Sequence, residues 1–148
     1  MYLTKKTYVK QWGHQLPEET YEVEVTKGGV RCSNIKPERI TNIEEEIGYW
    51  RKANQIHRWF VENVQNGNDD CGEYYVGKGH LESLLDLCKK VQADNSLAST
   101  LLPSASGFFF GGEDYDEWYF NGVDNTISIL EEALSDKNDG SYYYSSSW

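Results

Sequence analysis

Cysteine is scarce in this chain, and long apolar runs are absent. The three cysteines, Cys32, Cys71 and Cys88, are widely spaced and form no C-x-x-C pair, which argues against a disulfide framework and a zinc knuckle and favours a reducing compartment. No run approaches the roughly 20 apolar residues that a membrane span needs, and the N-terminus lacks the apolar core of a signal peptide. We therefore expect a soluble, cytoplasmic protein without a membrane partner.

Positive charge is also in short supply. The chain carries 14 Lys and Arg against 24 Asp and Glu, which gives a net charge of −10. A field of this sign repels phosphate backbones, so nonspecific binding of DNA or RNA is disfavoured. An anionic ligand would have to be held by a local cluster of cationic side chains.

Motifs of catalysis and of metal binding are missing. The sequence has no G-x-S-x-G elbow, and SASG around Ser106 has only the composition of a turn. The histidines, His14, His57 and His80, show no metal-binding spacing, and GFFFGG at residues 107 to 112 lacks the lysine of a phosphate-binding loop. We expect no catalytic residue, no metal and no cofactor, and an enzyme with a dispersed active site remains an alternative.

Core-forming side chains are plentiful, by contrast. The chain is 39 % hydrophobic and contains five Trp and eleven Tyr, which is too rich a composition for a disordered polypeptide. Its 148 residues have the length of one ordinary domain that can bury a core without disulfide or metal. We therefore expect a single domain over residues 1–148.

Strand patterns dominate residues 1–35. TYEVEV at residues 20 to 25 alternates apolar and acidic side chains, as a half-buried strand does. Gly28 and Gly29 tolerate positive φ and therefore favour a two-residue hairpin turn that places Val25 opposite Cys32. KTYVKQW at residues 6 to 12 is a weaker strand candidate.

Helical spacing dominates residues 36–137. Pro37 suits a first helical turn, and Thr41 with Glu44 fits a capping box, so we predict a long helix over residues 41 to 66. Its core-facing seam would contain Ile43, Trp50, His57 and Val64, because these positions align at about 100° per residue.

The remaining patterns predict shorter elements. EYYV at residues 73 to 76 indicates a short strand, and SLASTLL a short helix that Pro103 terminates. Two more amphipathic helices are indicated by apolar residues at helical spacing: Leu81, Leu84, Leu85, Cys88 and Val91 in one, and Val123, Ile127, Leu130 and Leu134 in the other. Residues 140–148 contain SYYYSSSW, a composition that predicts either an edge strand or a tail.

The predicted fold class is therefore α+β. We expect a single domain in which a long central helix and two further helices pack on a small antiparallel sheet.

The stretch YWRKANQIHRWF at residues 49 to 60 mixes cations with aromatics. On a helix Arg51, Asn54 and Arg58 would share one arc with Glu62, and such an arc can bind phosphate or carboxylate. The alternative is that Arg58 pairs with Glu62, while Arg51 pairs with Glu44 or another acidic side chain. His57 would more often be a satisfied core histidine than a ligand contact.

A ligand-binding site follows from this arc and the neighbouring aromatics. Planar side chains can stack on a base, so the candidate ligand-binding residues are Trp50, Arg51, Asn54, His57, Arg58, Phe109, Tyr115 and Trp118.

Several rare motifs occur here in one order. YWRKANQIHRWFVENVQ, DDCGEYYV, LLDLCKKV, LLPSASGFFFGGEDYDEWYF and YYYSSSW together resemble a family of small uncharacterised proteins of tailed bacteriophages and prophages. The resemblance runs from about residue 39 to residue 148. It implies an accessory protein in the host bacterial cytoplasm, and it brings no established activity or functional residue.

Three classes of function remain open. The first is a counter-defence protein that sequesters a small anionic, nucleotide-like ligand. The second is a stoichiometric inhibitor that binds a host or defence protein through an acidic and aromatic surface, in imitation of nucleic acid. The third is an enzyme. Exposed aromatics can equally form a homo-oligomer contact.

Overall fold

The computed structural model describes residues 1–105, 114–137 and 140–147. The strands in these ranges are β1 (Tyr2–Tyr8), β2 (Thr26–Lys27), β3 (Val30–Arg31), β4 (Asn42–Tyr49), β5 (Glu73–Val76) and β6 (Ser141–Ser145). The helices are α1 (Asn54–Asn63), α2 (Lys78–Ala93), α3 (Ala98–Leu101) and α4 (Glu117–Ser135), with single 3-10 turns at Pro17–Glu19, Pro37–Arg39 and Asn95–Leu97.

Four strands form the main sheet in the order β4-β1-β6-β5, and all neighbours are antiparallel. Along β1 the odd positions Leu3, Lys5 and Thr7 are buried, as the two-residue period of a strand requires. The C-terminal strand predicted for residues 140–148 is present as β6. It is an inner strand rather than an edge strand, because β1 and β5 pair with its two sides.

A second, two-stranded sheet contains the predicted hairpin. Gly28 and Gly29 have φ values of 60° and 79°, and Cys32 N–H donates to Val25 O at 2.9 Å, so the turn and its register are confirmed. The strand predicted over residues 20 to 25 is wrong, because pairing begins only at β2. β2 and β3 are exposed throughout. Because an isolated two-stranded hairpin is only marginally stable, the alternating pattern of TYEVEV is not enough to extend the strand.

The helix predicted over residues 41 to 66 is wrong in its first half. Residues 42 to 49 form β4 and pair with β1, where Lys5 lies opposite Glu45 and Lys6 opposite Glu44. These opposite charges and the hydrogen bonds of the strand pair outweigh the local helix preference of the glutamates. Ile43, expected on the helix seam, is 40 % exposed, and the helix begins only at Asn54.

The other predicted helices and the strand EYYV are confirmed. α2 buries Leu81, Leu84, Cys88 and Val91 and ends at Ala93, and α4 buries Val123, Ile127 and Leu130. α4, with 19 residues, is the longest helix of the described ranges. α3 ends shortly before Pro103, as expected.

One face of the main sheet carries the core. Leu3, Val76 and Tyr144 project from the sheet into a cluster that also contains Phe60 of α1 and Leu130 of α4. The chain is thus a single α+β domain with its helices packed on an antiparallel sheet, as predicted. In the described ranges, no helix has both the length and the apolar character required to cross a bilayer.

Candidate ligand-binding site

A short turn between β4 and α1 forms one side of the candidate site. Trp50 anchors it, because Trp50 N–H donates to Met1 O at 2.9 Å and its Nε1–H donates to Thr126 Oγ1 at 2.9 Å. Lys52 has a positive φ of 58°, which reverses the chain. Trp50 is therefore buried, whereas Arg51 and Lys52 are exposed beside it.

The start of α4 lies across from this turn. The Asp116 side chain caps the helix, since its Oδ1 accepts a hydrogen bond from Tyr119 N–H at 3.0 Å. Trp118 is 83 % exposed. Tyr119 is buried and donates its hydroxyl to Leu102 O at 2.7 Å, and burial raises its pKa, so this phenol stays neutral.

A cavity of about 420 Å³ lies between the turn and the start of α4. This volume falls within the range of roughly 300–1,000 Å³ that is typical of small-molecule sites. The described residues at its wall are Arg51, Lys52, Asn54, Gln55, Asp114, Asp116, Trp118 and Tyr119. The wall therefore combines two cations, two buried amides, two carboxylates and two aromatic rings.

The two cations at the wall share the cavity with two carboxylates, those of Asp114 and Asp116. Among the residues that the structure describes, Arg51 and Lys52 form no salt bridge, whereas Lys6 pairs with Glu73 at 2.6 Å and Lys89 with Glu131 at 2.6 Å. Two adjacent cations that form no salt bridge with the described residues are the kind of group that holds a phosphate or carboxylate at a cavity.

Family models, curated proteins and solved structures give no match to this chain. The assignment of the site therefore depends on its geometry. Within the described ranges, no group of three or more His, Cys, Asp and Glu side chains is arranged to hold a metal ion.

Three of the predicted binding residues meet at the cavity, and one lies beside it. Arg51, Asn54 and Trp118 line the wall. Tyr115 contacts the ring of Tyr119 with 5.0 Å between ring centroids, although it does not line the cavity. Phe109 lies outside the described residues.

Arg58 does not share the cavity with Arg51. Its Nε–H donates to Glu62 Oε1 at 2.8 Å, and its Nη1–H donates to Ser104 O at 3.2 Å, so the pairing predicted as the alternative is confirmed for this arginine. The common arc required one helix through both residues, and α1 begins only at Asn54. Arg51, for its part, forms no salt bridge with Glu44 or with another acidic side chain of the described residues.

Trp50 and His57, also predicted as ligand contacts, lie in the core at 2 % and 4 % exposure. His57 Nε2–H donates to Asp69 Oδ2 at 3.1 Å, because a carboxylate can only accept, and His57 Nδ1 forms a hydrogen bond with the Tyr144 hydroxyl at 2.7 Å. The histidine is thus a satisfied core residue.

Five residues at the wall were not predicted from the sequence: Lys52, Gln55, Asp114, Asp116 and Tyr119. Lys52 follows Arg51 directly, and its charge was a usable signal. Gln55 carried none, because its position at the cavity depends on the turn that precedes α1. Asp116 is a typical N-cap residue, which a search for the start of α4 would have found.

Proposed function

We propose that this protein is a phage-encoded, non-catalytic accessory protein that sequesters a small, nucleotide-like anion in the cavity between the Arg51 turn and α4. The observation that supports it most is that Arg51 and Lys52, which form no salt bridge with the residues that the structure describes, line the same cavity as the exposed ring of Trp118. A phage origin and a counter-defence role in the host cytoplasm rest on the resemblance of the sequence motifs.

The chemistry of the wall fits such a ligand. The guanidinium of Arg51 can hold a phosphate through two parallel hydrogen bonds, and Lys52 adds a point charge. Stacking of a base on an aromatic ring contributes about 1–3 kcal/mol, and Trp118 offers an accessible ring. Asp114 and Asp116 can accept hydrogen bonds from ligand hydroxyl or amino groups.

Binding rather than turnover is favoured by the state of the groups at the wall. Burial raises the pKa of Tyr119, so its hydroxyl is a poor base. One oxygen of Asp116 accepts the hydrogen bond that caps α4.

The proposal is tested by calorimetric titration of the protein with mononucleotides, using wild type, Arg51→Ala and Arg39→Ala. Arg39 is exposed and does not line the cavity, so Arg39→Ala makes the same change in net charge elsewhere. We expect Arg51→Ala to weaken binding about tenfold or more, because a hydrogen bond to a charged group is worth about 1.5–3 kcal/mol, and Arg39→Ala to leave it unchanged. Equal losses in both variants would contradict a local site.

A second candidate function is supported by the outer face of the main sheet. The face opposite the core carries Tyr2, Tyr49, Tyr75 and Tyr143 beside Glu44 and Glu46. Tyr49 and Tyr75 are 46 % and 62 % exposed, and tyrosine is enriched at protein interfaces. This surface fits stoichiometric binding to a host or defence protein, or to a second copy of the chain.

The two candidates predict different results from one pull-down in infected cells. Capture of a bacterial protein that survives Arg51→Ala and is lost with Tyr75→Lys would favour the outer face. Analytical ultracentrifugation of the purified wild type and Tyr75→Lys variant then shows whether the chain forms a homodimer and whether this substitution dissociates it.

A further inference from the structure

The strand β4 forms one edge of the main sheet. β1 pairs with one side of it, and within the described ranges no strand pairs with the other side. With 8 residues, β4 is the longest strand of these ranges, whereas β5 at the opposite edge has 4. An edge strand carries unpaired backbone N–H and C=O groups, which can pair with another chain.

The hydrogen-bond pattern of β4 identifies its open backbone groups. Val9 N–H donates to Thr41 O at 2.9 Å, so this pair is hydrogen-bonded, and such pairs recur at every second residue of an antiparallel ladder. Ile43 and Glu45 therefore use their backbone groups to bond β1. The groups that point to the free side are the N–H and C=O of Asn42 and Glu44.

The same stretch of β4 is strongly acidic. Glu44, Glu45 and Glu46 are all exposed. Glu46 forms no salt bridge with the described residues, and Glu44 lies 3.9 Å from Lys6. The pairing with β1 already sets lysines opposite two of these glutamates, and opposite charges across a strand pair are stabilising. A strand on the free side would gain most from the same arrangement.

A second copy of β4 does not fit this edge. Antiparallel pairing of residues 42 to 46 from two copies would set glutamates opposite or diagonal to one another, and like charges in such positions are destabilising. The net charge of −10 adds repulsion between whole copies. Charge complementarity therefore favours a basic partner over self-association.

We propose that β4 binds an extended, basic segment of another protein, which adds to the main sheet as a further antiparallel strand. The open N–H and C=O groups supply backbone hydrogen bonds, as strand addition requires, and Lys or Arg at alternate positions of the segment meet Glu44 and Glu46. Tyr49 continues this face of the sheet, where it is 46 % exposed, and its ring centroid lies 5.2 Å from that of Tyr2. A further Lys or Arg can lie over this ring. The interaction is independent of the cavity and of its ligand.

The test uses a short synthetic peptide in which Lys alternates with Thr, and fluorescence anisotropy of its labelled form measures binding. With the lysines on the face of Glu44, an antiparallel strand uses the lysine amides for its hydrogen bonds to β4. N-methylation of these amides should weaken binding about 2- to 12-fold for each hydrogen bond lost, whereas N-methylation of the threonine amides should leave it unchanged. Both methylated peptides keep the same charge, so general attraction to an acidic protein does not produce this difference.

Two pairs of protein variants locate the binding at β4. Asn42→Pro removes an open N–H, which an edge strand tolerates on its free side, and should weaken binding about 2- to 12-fold. Asn42→Ala keeps the N–H and is the matched control. Glu46→Lys should weaken binding about 2- to 10-fold more than Glu24→Lys, which makes the same change in charge at an exposed position outside β4.

The inference is overturned if wild type fails to bind the basic peptide. Equal effects of the two N-methylations, of Asn42→Pro and Asn42→Ala, or of Glu46→Lys and Glu24→Lys would also overturn it. A wild-type homodimer in analytical ultracentrifugation that Asn42→Pro dissociates, and Asn42→Ala does not, would assign the edge to a second copy and would count against it equally.

Discussion

At the scale of single residues, His57 joins three parts of the chain. It belongs to α1, and its ring forms one hydrogen bond with Asp69 in the following loop and another with the Tyr144 hydroxyl of β6. The ring of Tyr144 stacks on Phe60 with 4.0 Å between centroids and 9° between planes. This combination of hydrogen bonding and stacking holds α1 against the sheet.

Removing the Tyr144 hydroxyl tests this connection. Tyr144→Phe keeps the ring stacked on Phe60 and removes its hydrogen bond with His57 Nδ1, so we expect a loss of about 0.5–1.5 kcal/mol in the free energy of unfolding, measured by urea denaturation. Tyr143→Phe, on the outer face of the same strand, is the control and should have little effect. Equal costs for both would show that the bond to His57 contributes nothing specific.

Some residues of the site were predictable one by one, and others were not. Arg51 and Trp118 stand out in the sequence by charge and aromaticity, and both line the cavity. Arg58 has the same charge as Arg51 yet is held by Glu62, because the side chain four residues later on a helix is its neighbour. The position of the Gln55 amide depends on its hydrogen bond to Tyr119 O, and no local pattern links these two residues.

At the scale of elements, β4 and α4 meet at a glycine. A Cβ at position 48 would meet Ile129 Cγ2 and lie 2.9 Å from Ile129 Cδ1. The strand can approach the helix this closely only without a side chain at that point. Gly48 therefore sets the spacing between sheet and helix beside the cavity turn.

Gly48→Ala should destabilise the protein by about 1–3 kcal/mol, because overpacking forces the neighbouring groups apart. Ile129→Ala removes the obstructing methyl groups, so the double variant should be more stable than the sum of the two single costs predicts. Thermal or urea denaturation measures all three. Gly13→Ala, where the new Cβ has no atom within 4 Å, is the neutral control, and strict additivity would contradict the close approach.

Elements with a local signal were predicted correctly, and β4 was not. α2 and α4 show apolar residues at helical spacing, and β5 is a short run of strand formers. In β4 the glutamates at positions 44 to 46 favour a helix locally. Their strand conformation depends on Lys5 and Lys6, which lie far away in sequence and pair with them only once the sheet forms.

At the scale of the whole molecule, several buried groups keep their protons at high pH. Burial raises the pKa of the Cys88 thiol to about 12 and also raises the pKa values of Tyr119 and Tyr144. For Lys5, burial lowers the pKa, but the hydrogen bond and charge of Asp136 outweigh it and leave the pKa raised. In each case the unfolded chain releases its proton at a lower pH than the folded chain.

We therefore expect stability to fall as the pH rises above about 9. Between the unfolded pKa of a thiol, about 8.5, and its folded value, Cys88 alone contributes a slope of about −1.4 kcal/mol per pH unit. Cys88→Ala should remove the contribution of the thiol to this slope. The free energy of unfolding should then begin to decline only near the tyrosine pKa of about 10.

Urea denaturation at a series of alkaline pH values measures the slope. Cys71→Ala, at an exposed cysteine, is the control and should keep the wild-type slope. A Cys88→Ala profile parallel to wild type from pH 9 upward would contradict the assignment.

The cavity draws its two sides from distant parts of the chain, the turn before α1 and the start of α4. A ligand of this cavity can bind only the folded chain. At free concentration [L] and dissociation constant Kd, it lowers the ratio of unfolded to folded protein by the factor 1 + [L]/Kd. Proteases that degrade unfolded copies would then remove empty protein faster than occupied protein. Under the proposed function, the amount of this protein in a cell would accordingly follow the supply of the molecule that the cavity binds.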